Sequence, residues 1–349
     1  MDLIQTVNSH TKDPKKLIAL TFEILNAAET SKKAYKILSE NNLAKQLIGL
    51  YYSAIESGEF KVNYESMIYN FKEKYVKAEA AVEYNAGDKK LEYEGLGNMY
   101  DYIERYVPSE TDFNIFIEGM KLHELLFKAS DDNYKEERMK EYNQLTEQVE
   151  KAKESRNIAE YKKAKELLKA FSDTNKKFGG QLRDDEVDLL GVEFHVPSPM
   201  EAKIFFNNFL SPNKKVEYNN AYTADLFTYI NYCIKTCIEI IKYQPFGDGN
   251  KRTARALLNL MFKNRNLPPV YILKKERTVY KDALIKAIKD DDYTDIINFY
   301  YFKICDSIYE LDIKPYKDKT VSPQQEPEKT KTVDDDSDIK TYNITRKLK

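Results

Sequence analysis

The sequence predicts an all-α fold, and three observations carry that prediction. Apolar residues recur three and four positions apart through most of the first 310 residues, the spacing that builds one face of a helix. The stretch from Ser130 to Lys177 is dominated by lysine and glutamate and holds neither glycine nor proline, a composition suited to exposed helix. The period-two alternation of a half-buried strand occurs only at Val187, Leu189, Val192, Phe194 and Val196, which predicts one short hairpin turning near Gly191.

The elements follow in order. Lys15–Ala28 sets Leu17, Ile18, Phe22 and Leu25 at helical spacing, and Asp13-Pro14 suits its start because proline is tolerated in a first turn. Asn42–Ile55 repeats the pattern through Leu43, Leu47, Leu50 and Ile55. Tyr64–Ala78 and Leu96–Tyr106 also read as helices, the second closing ahead of Pro108. Thr111-Asp112 is the expected cap of a helix over Phe113–Lys128. Residues 1–109 thus form an N-terminal helical region joined by polar turns such as Ser57-Gly58.

Residues 130–178 read as a charged helical-hairpin insertion, two long exposed helices breaking near Ser155–Asn157. It suits either a solvated hairpin or a partner-docking arm. After the predicted β-hairpin, Pro197 and Pro199 lead into a helix over Glu201–Leu210, which Ser211-Pro212-Asn213 closes. Tyr222–Tyr243 and Thr253–Phe262 are apolar helices flanking a polar corner. Lys281–Ile288 and Tyr293–Leu311 complete a main domain over 110–312, and 313–349, rich in Lys, Asp, Glu and Thr, reads as a disordered tail.

Bulk composition excludes several classes of function. A net charge of −2 argues against a dominant nucleic-acid or anionic-membrane role. Three cysteines make no disulfide framework, and Cys233 and Cys237, four apart on one helix, read as core thiols. The N-terminus has no basic region followed by a long apolar run, so neither a secretory signal nor a membrane span is expected, and the protein reads as cytoplasmic.

Chemistry concentrates in Gln244-Pro-Phe-Gly-Asp-Gly-Asn-Lys-Arg-Thr-Ala-Arg255. Pro245, Gly247 and Gly249 break the first helix, and Asp248-Gly249-Asn250 supplies a turn and the start of the next. That helix begins with free amides, an anion site backed by Lys251, Arg252 and Arg255. Arg252 and Arg255 are three apart and share a helix face, and Asp248 is the nearby acid that can hold magnesium beside a polyphosphate. The residues alone fit two readings, a polyphosphate site or an ordinary helical corner with a basic first turn.

The stretch resembles the signature of Fic (Fido) domain proteins, His-Pro-Phe-x-Asp/Glu-Gly-Asn-Gly/Lys-Arg-x-x-Arg, at Pro245, Phe246, Asp248, Gly249, Asn250, Lys251, Arg252 and Arg255. Gly180–Val187 and Phe194–Glu201 resemble the family's flap and the entry to its next helix, and Phe116–Phe127 resembles the helix before the flap. The resemblance implies the Fic helical fold with a small β-hairpin flap. It also implies a protein adenylyltransferase chemistry: AMP passes from ATP, with Mg²⁺, to a hydroxyl of a target protein. Asp248 would hold the metal; Gly247, Gly249, Asn250, Lys251, Arg252 and Arg255 would bind the nucleotide. The flap, with Leu189, Val192 and His195, would align the target by strand addition.

One departure stands out: the family's catalytic histidine is Gln244 here. A carboxamide has no proton-accepting form near neutral pH. General-base catalysis is typically worth ~10²- to 10⁴-fold, so transfer is expected to be weak or altered. Alternatives are a catalytically inactive nucleotide sensor or interaction module, or a transfer whose nucleophile is already ionised. Of the other histidines, His123 falls on an apolar helix face and reads as packed core, His10 lies in a polar stretch, and His195 on the flap is the one conceivable stand-in. Tyr51–Gly58 is similar to the family's inhibitory helix, with Glu56 expected to pair with Arg255.

Overall fold

The computed structural model describes residues 13–27, 42–59, 61–62, 64–82, 89–109, 113–155, 157–172, 178–189 and 194–314. Among them are twelve α-helices: α1 (Pro14–Ala27), α2 (Leu43–Glu56), α3 (Tyr64–Val82), α4 (Lys89–Arg105), α5 (Ile115–Glu154), α6 (Ile158–Ser172), α7 (Pro199–Asn207), α8 (Pro212–Thr223), α9 (Leu226–Tyr243), α10 (Asn250–Asn264), α11 (Arg277–Lys289) and α12 (Thr294–Ile308). The all-α expectation holds. The region read as a tail lies outside the described residues beyond Lys314.

Local chemistry explains most boundaries. Pro14 opens α1, where the Asp13 carboxylate accepts from the Lys15 amide at 3.0 Å. α5 starts later than expected because Asn114 is its cap, accepting from the amides of Phe116 and Ile117 at 3.0 and 3.1 Å; Thr111 and Asp112 lie outside the described residues. α7 has a full capping box between Ser198 and Glu201 with Pro199 at its first turn. The long α9 begins at Leu226, not Tyr222, because Asp225 caps it and ends α8 two residues before.

α10 is the central helix. Thirteen of its fifteen residues are buried, so it has no solvent face and its position is fixed from all sides. α9 packs against it, and truncating a fully buried isoleucine of α9 such as Ile234 or Ile241 to alanine costs about 2–5 kcal/mol. The three cysteines are free and buried, as expected of core thiols.

α5 carries the other half of the site. Its first turns bury Leu122, His123 and Leu126, and it then continues without a break into the charged arm, where α6 folds back along it after Ser155. Asp131 ties the returning chain to the base of the arm, accepting from the amides of Phe178 (2.7 Å) and Gly179 (3.1 Å). α4 crosses α5 so closely that a Cβ on Gly95 would sit 1.9 Å from the Leu126 carbonyl oxygen.

The expected hairpin is not seen: no strand occurs among the described residues, and Leu190 to Glu193, including Val192 and the turn at Gly191, lie outside them. The described legs, 181–189 and 194–198, are instead held by Arg183. Its guanidinium reaches the Asp185 carbonyl at 2.9 Å on one leg and the Pro197 carbonyl on the other. No helix among the described residues is long and apolar enough to cross a membrane.

Candidate functional site

The corner from Gln244 to Arg255 is built by side-chain amides. α9 ends at Gln244 in the left-handed region (φ 47°, ψ 60°), an uncommon conformation for a residue with a Cβ that bends the chain sharply back. The Asn250 side chain then stitches the loop: its oxygen accepts from the Phe246 amide at 2.9 Å, and its nitrogen donates to the Phe246 carbonyl at 2.8 Å and to Gln244 Oε1 at 3.0 Å. Gln244 Nε2 in turn donates to the Ile241 carbonyl at 2.6 Å. Because the Phe246 amide is a fixed donor, it orients the Asn250 carboxamide, and that orients Gln244. Gln244 thus donates back to the last turn of α9 and accepts from Asn250, which fixes its carboxamide against the loop.

Beneath the loop lies His123. Its ring stacks on Phe246 with centroids 3.8 Å apart and planes 8° from parallel. The Gly180 amide donates to Nδ1 at 2.9 Å, so the ring proton sits on Nε2, which donates to the Asp248 carbonyl at 3.0 Å. Burial pushes its pKa down to about 4, so the ring is neutral. The expected core histidine is thus also a link between Gly180 and the motif. Gly249, at φ +74°, is required twice over, since a Cβ there would meet Leu126 Cδ2 at 2.7 Å and Phe127 Cε2 at 2.8 Å.

The two arginines of α10 are both held by carboxylates. Arg255 makes a bidentate pair with Glu79 of α3, Nε to Oε2 at 2.8 Å and Nη2 to Oε2 at 2.6 Å, with Nε also 3.0 Å from Oε1. Both partners are sealed from solvent, the side chains 3% and 0% exposed. Arg252 donates from Nη1 to Glu92 of α4 at 3.1 Å and from Nη2 to Asp248 at 3.2 and 3.3 Å. The Glu92 side chain is 10% exposed, whereas that of Asp248 is 70% exposed.

The expected Glu56–Arg255 contact is therefore corrected: the partner is Glu79. α2 packs through Tyr51 onto Asp312 (2.8 Å) and through Tyr52 onto the Asn266 carbonyl (3.2 Å), which leaves Glu56 exposed at its end. A guanidinium buried as deeply as Arg255 needs a counter-charge inside the core, and α3 places Glu79 there.

Other expected residues fall as follows. Gly247 is exposed with open space where a Cβ would go, and Lys251 is partly exposed. Leu189 is buried and His195 exposed, on legs either side of the undescribed turn. Arg183, Glu79 and Glu92 were missed by sequence reasoning. Arg183 donates from Nε to the Gln244 carbonyl at 2.6 Å and from its amide to the Pro245 carbonyl at 3.0 Å, tying the 181–189 leg to the motif. A charge at position 79 among buried Phe71, Tyr75 and Ala78 was the available signal for Glu79.

Among the described residues no cluster of three His, Cys, Asp or Glu is placed to hold a metal ion. The donor set still fits magnesium, which commonly takes one or two carboxylates together with substrate phosphate oxygens and water. Asp248 is the exposed carboxylate at the mouth of the loop and would be that ligand.

Residues 157–262 match the Fic/DOC family, a span that contains the whole corner. That part of the chain is therefore similar to Fic domains. Similar curated proteins include "Protein adenylyltransferase Fic" of Aedes aegypti, 34% identical over 114 residues, which cover 32% of this chain and 21% of that one. The same-named protein of Drosophila willistoni is 30% identical over 122 residues, 35% of this chain and 22% of that one. The chain thus matches only about a fifth of the length of these relatives. Among solved structures, Fic-1 from C. elegans aligns with a TM-score of 0.46 at 14% identity, covering 88% of this chain and 89% of that one. A Fic-domain signaling protein from Bacteroides thetaiotaomicron aligns with a TM-score of 0.49 at 15% identity, over 79% and 98%.

Proposed function

We propose that the protein binds ATP at the Gln244–Arg255 corner and transfers AMP to a protein hydroxyl only weakly. The amides opening α10 and the side chains of Lys251, Arg252 and Arg255 would hold the phosphates. Asp248 would hold Mg²⁺, which neutralises phosphate charge when bound. In the transfer the acceptor oxygen bonds to the α-phosphorus, the bond to pyrophosphate breaks, and the hydroxyl proton must leave. Nothing at the family histidine's position can take that proton. The observation that carries this reading is Gln244 itself, a carboxamide held by the Ile241 carbonyl and Asn250 at the position where the resemblance expects a base.

The test is transfer of label from ATP. The Gln244→His variant is expected to exceed the unaltered protein by ~10²-fold or more. Equal rates would remove the argument from the missing base.

A second reading, an inactive nucleotide-dependent interaction module, is favoured by the carboxylates on both arginines. In it, Glu79 takes the inhibitory role expected of Glu56. Mass spectrometry of the protein after incubation with ATP and Mg²⁺ separates the two: an added AMP mass supports transfer, and saturable binding without it supports the module.

A further inference from the structure

Asp248 and Gly249 share one peptide group that decides whether the loop presents a donor or an acceptor to an anion. All described peptide bonds are trans, so the carbonyl and the N–H of this group point in opposite directions. The Asp248 carbonyl points inward to His123, itself 1% exposed. The Gly249 N–H must therefore point to the open side, and there it bonds the Asp248 carboxylate, which is 70% exposed. A carboxylate oxygen already sits where this donor would meet an anionic oxygen.

The opposite arrangement is close at hand. Glycine tolerates a wide range of φ and ψ, so a flip of the Asp248–Gly249 peptide meets little backbone resistance. A flipped peptide would turn a carbonyl oxygen to the open side of the loop in place of an N–H, repelling phosphate.

We propose that His123 is a positioning residue that holds this peptide against flipping, so that Gly249 offers its N–H to a phosphate oxygen. The proposal rests on the reading of the corner as a phosphate site. The ring is suited to the task because its tautomer is dictated from behind: the Gly180 amide occupies Nδ1, leaving only Nε2–H to face the Asp248 carbonyl. Stacking on Phe246 fixes the ring plane. The same side chain joins the flap's root to the loop, so displacing either alters the other.

Two near-isosteric variants separate this role from packing. In His123→Gln the amide nitrogen falls near the place of Nε2 and keeps the donor to Asp248, losing the acceptor for Gly180. In His123→Asn the side-chain oxygen falls near Nδ1 and keeps the acceptor, losing the donor. Affinity for ATP with Mg²⁺ is measured by calorimetry, alone and with Glu79→Gln to free Arg255, alongside melting temperature. The Gln variant is expected within about threefold of its parent and the Asn variant about tenfold weaker, the scale of one hydrogen bond, at similar melting temperatures. Equal losses, or the reverse order, overturn the proposal. In the unaltered protein, titration with tripolyphosphate is expected to shift the Gly249 amide resonance, and an unmoved resonance on saturation also overturns it. If neither the unaltered protein nor Glu79→Gln binds ATP or tripolyphosphate, the phosphate-site reading falls first and this inference with it.

Discussion

Arg255 and Glu79 stand 176 residues apart in the chain and meet in a bidentate ion pair sealed inside the core. In a polar solvent such a pair contributes little, but here neither charge has water to fall back on. The pair joins α3 to the central helix, and it also occupies a guanidinium that the resemblance would give to a phosphate.

Those two roles predict opposite effects of one substitution. Glu79→Gln should lower stability by up to about 3–5 kcal/mol, because it leaves Arg255 buried without its counter-charge. It should also raise affinity for ATP with Mg²⁺ by about tenfold or more, equivalent to ~1.4 kcal/mol. Urea unfolding and calorimetry on the same preparation check both. Loss of stability without a gain in affinity would make the pair purely structural.

Glu92→Gln is expected to act on the other arginine. With Glu92 neutral, Arg252 keeps Asp248 as a charged partner, and the site's negative charge falls by one. The expected result is tighter nucleotide binding and a steeper response to magnesium as Asp248 is drawn between the two. Titration of ATP at several magnesium concentrations measures it.

Gly249→Ala should be severe. The new methyl would sit inside contact distance of Leu126 and Phe127 at a left-handed φ. The backbone penalty alone is about 1–2 kcal/mol, with steric displacement added. A lower melting temperature and lost ATP affinity are expected, whereas Gly247→Ala, at an open position, should melt close to the unaltered protein.

His123 should give stability a pH dependence. Its folded pKa of about 4 lies below the ordinary histidine value near 6.5, so the unfolded chain takes up the proton first as pH falls. Stability from this group is complete above about pH 6.5, declines toward pH 4 and levels off below, for a total of about 3 kcal/mol. Urea unfolding across that range should show the loss, and His123→Gln should lack that component.

The sequence exposed the corner because its signals are local. Pro245, Gly247 and Gly249 punctuate two apolar helices, and such residues act through their own backbone angles. The break near Ser155–Asn157 was legible for the same reason. Glu79 and Glu92 were not, because their roles come from partners more than 150 residues away, in a chain where charged residues are common. Glu56 drew notice through a motif-like neighbourhood, but Tyr51 and Tyr52 anchor α2 on Asp312 and on the Asn266 carbonyl beyond the end of α10. Gln244 was recognisable as a departure from the family pattern, yet its bonds to Ile241 and Asn250 needed coordinates.

α5 runs unbroken for 40 residues, and one rod thus carries both the ring that braces the motif and the charged arm. From Phe127 to Glu154 the axial rise is about 40 Å, so a tilt of ten degrees at the foot sweeps the far end through about 7 Å. A spin label or dye near Glu154 would serve as a pointer, turning a small adjustment beneath the loop into a distance large enough to measure without touching the chemistry.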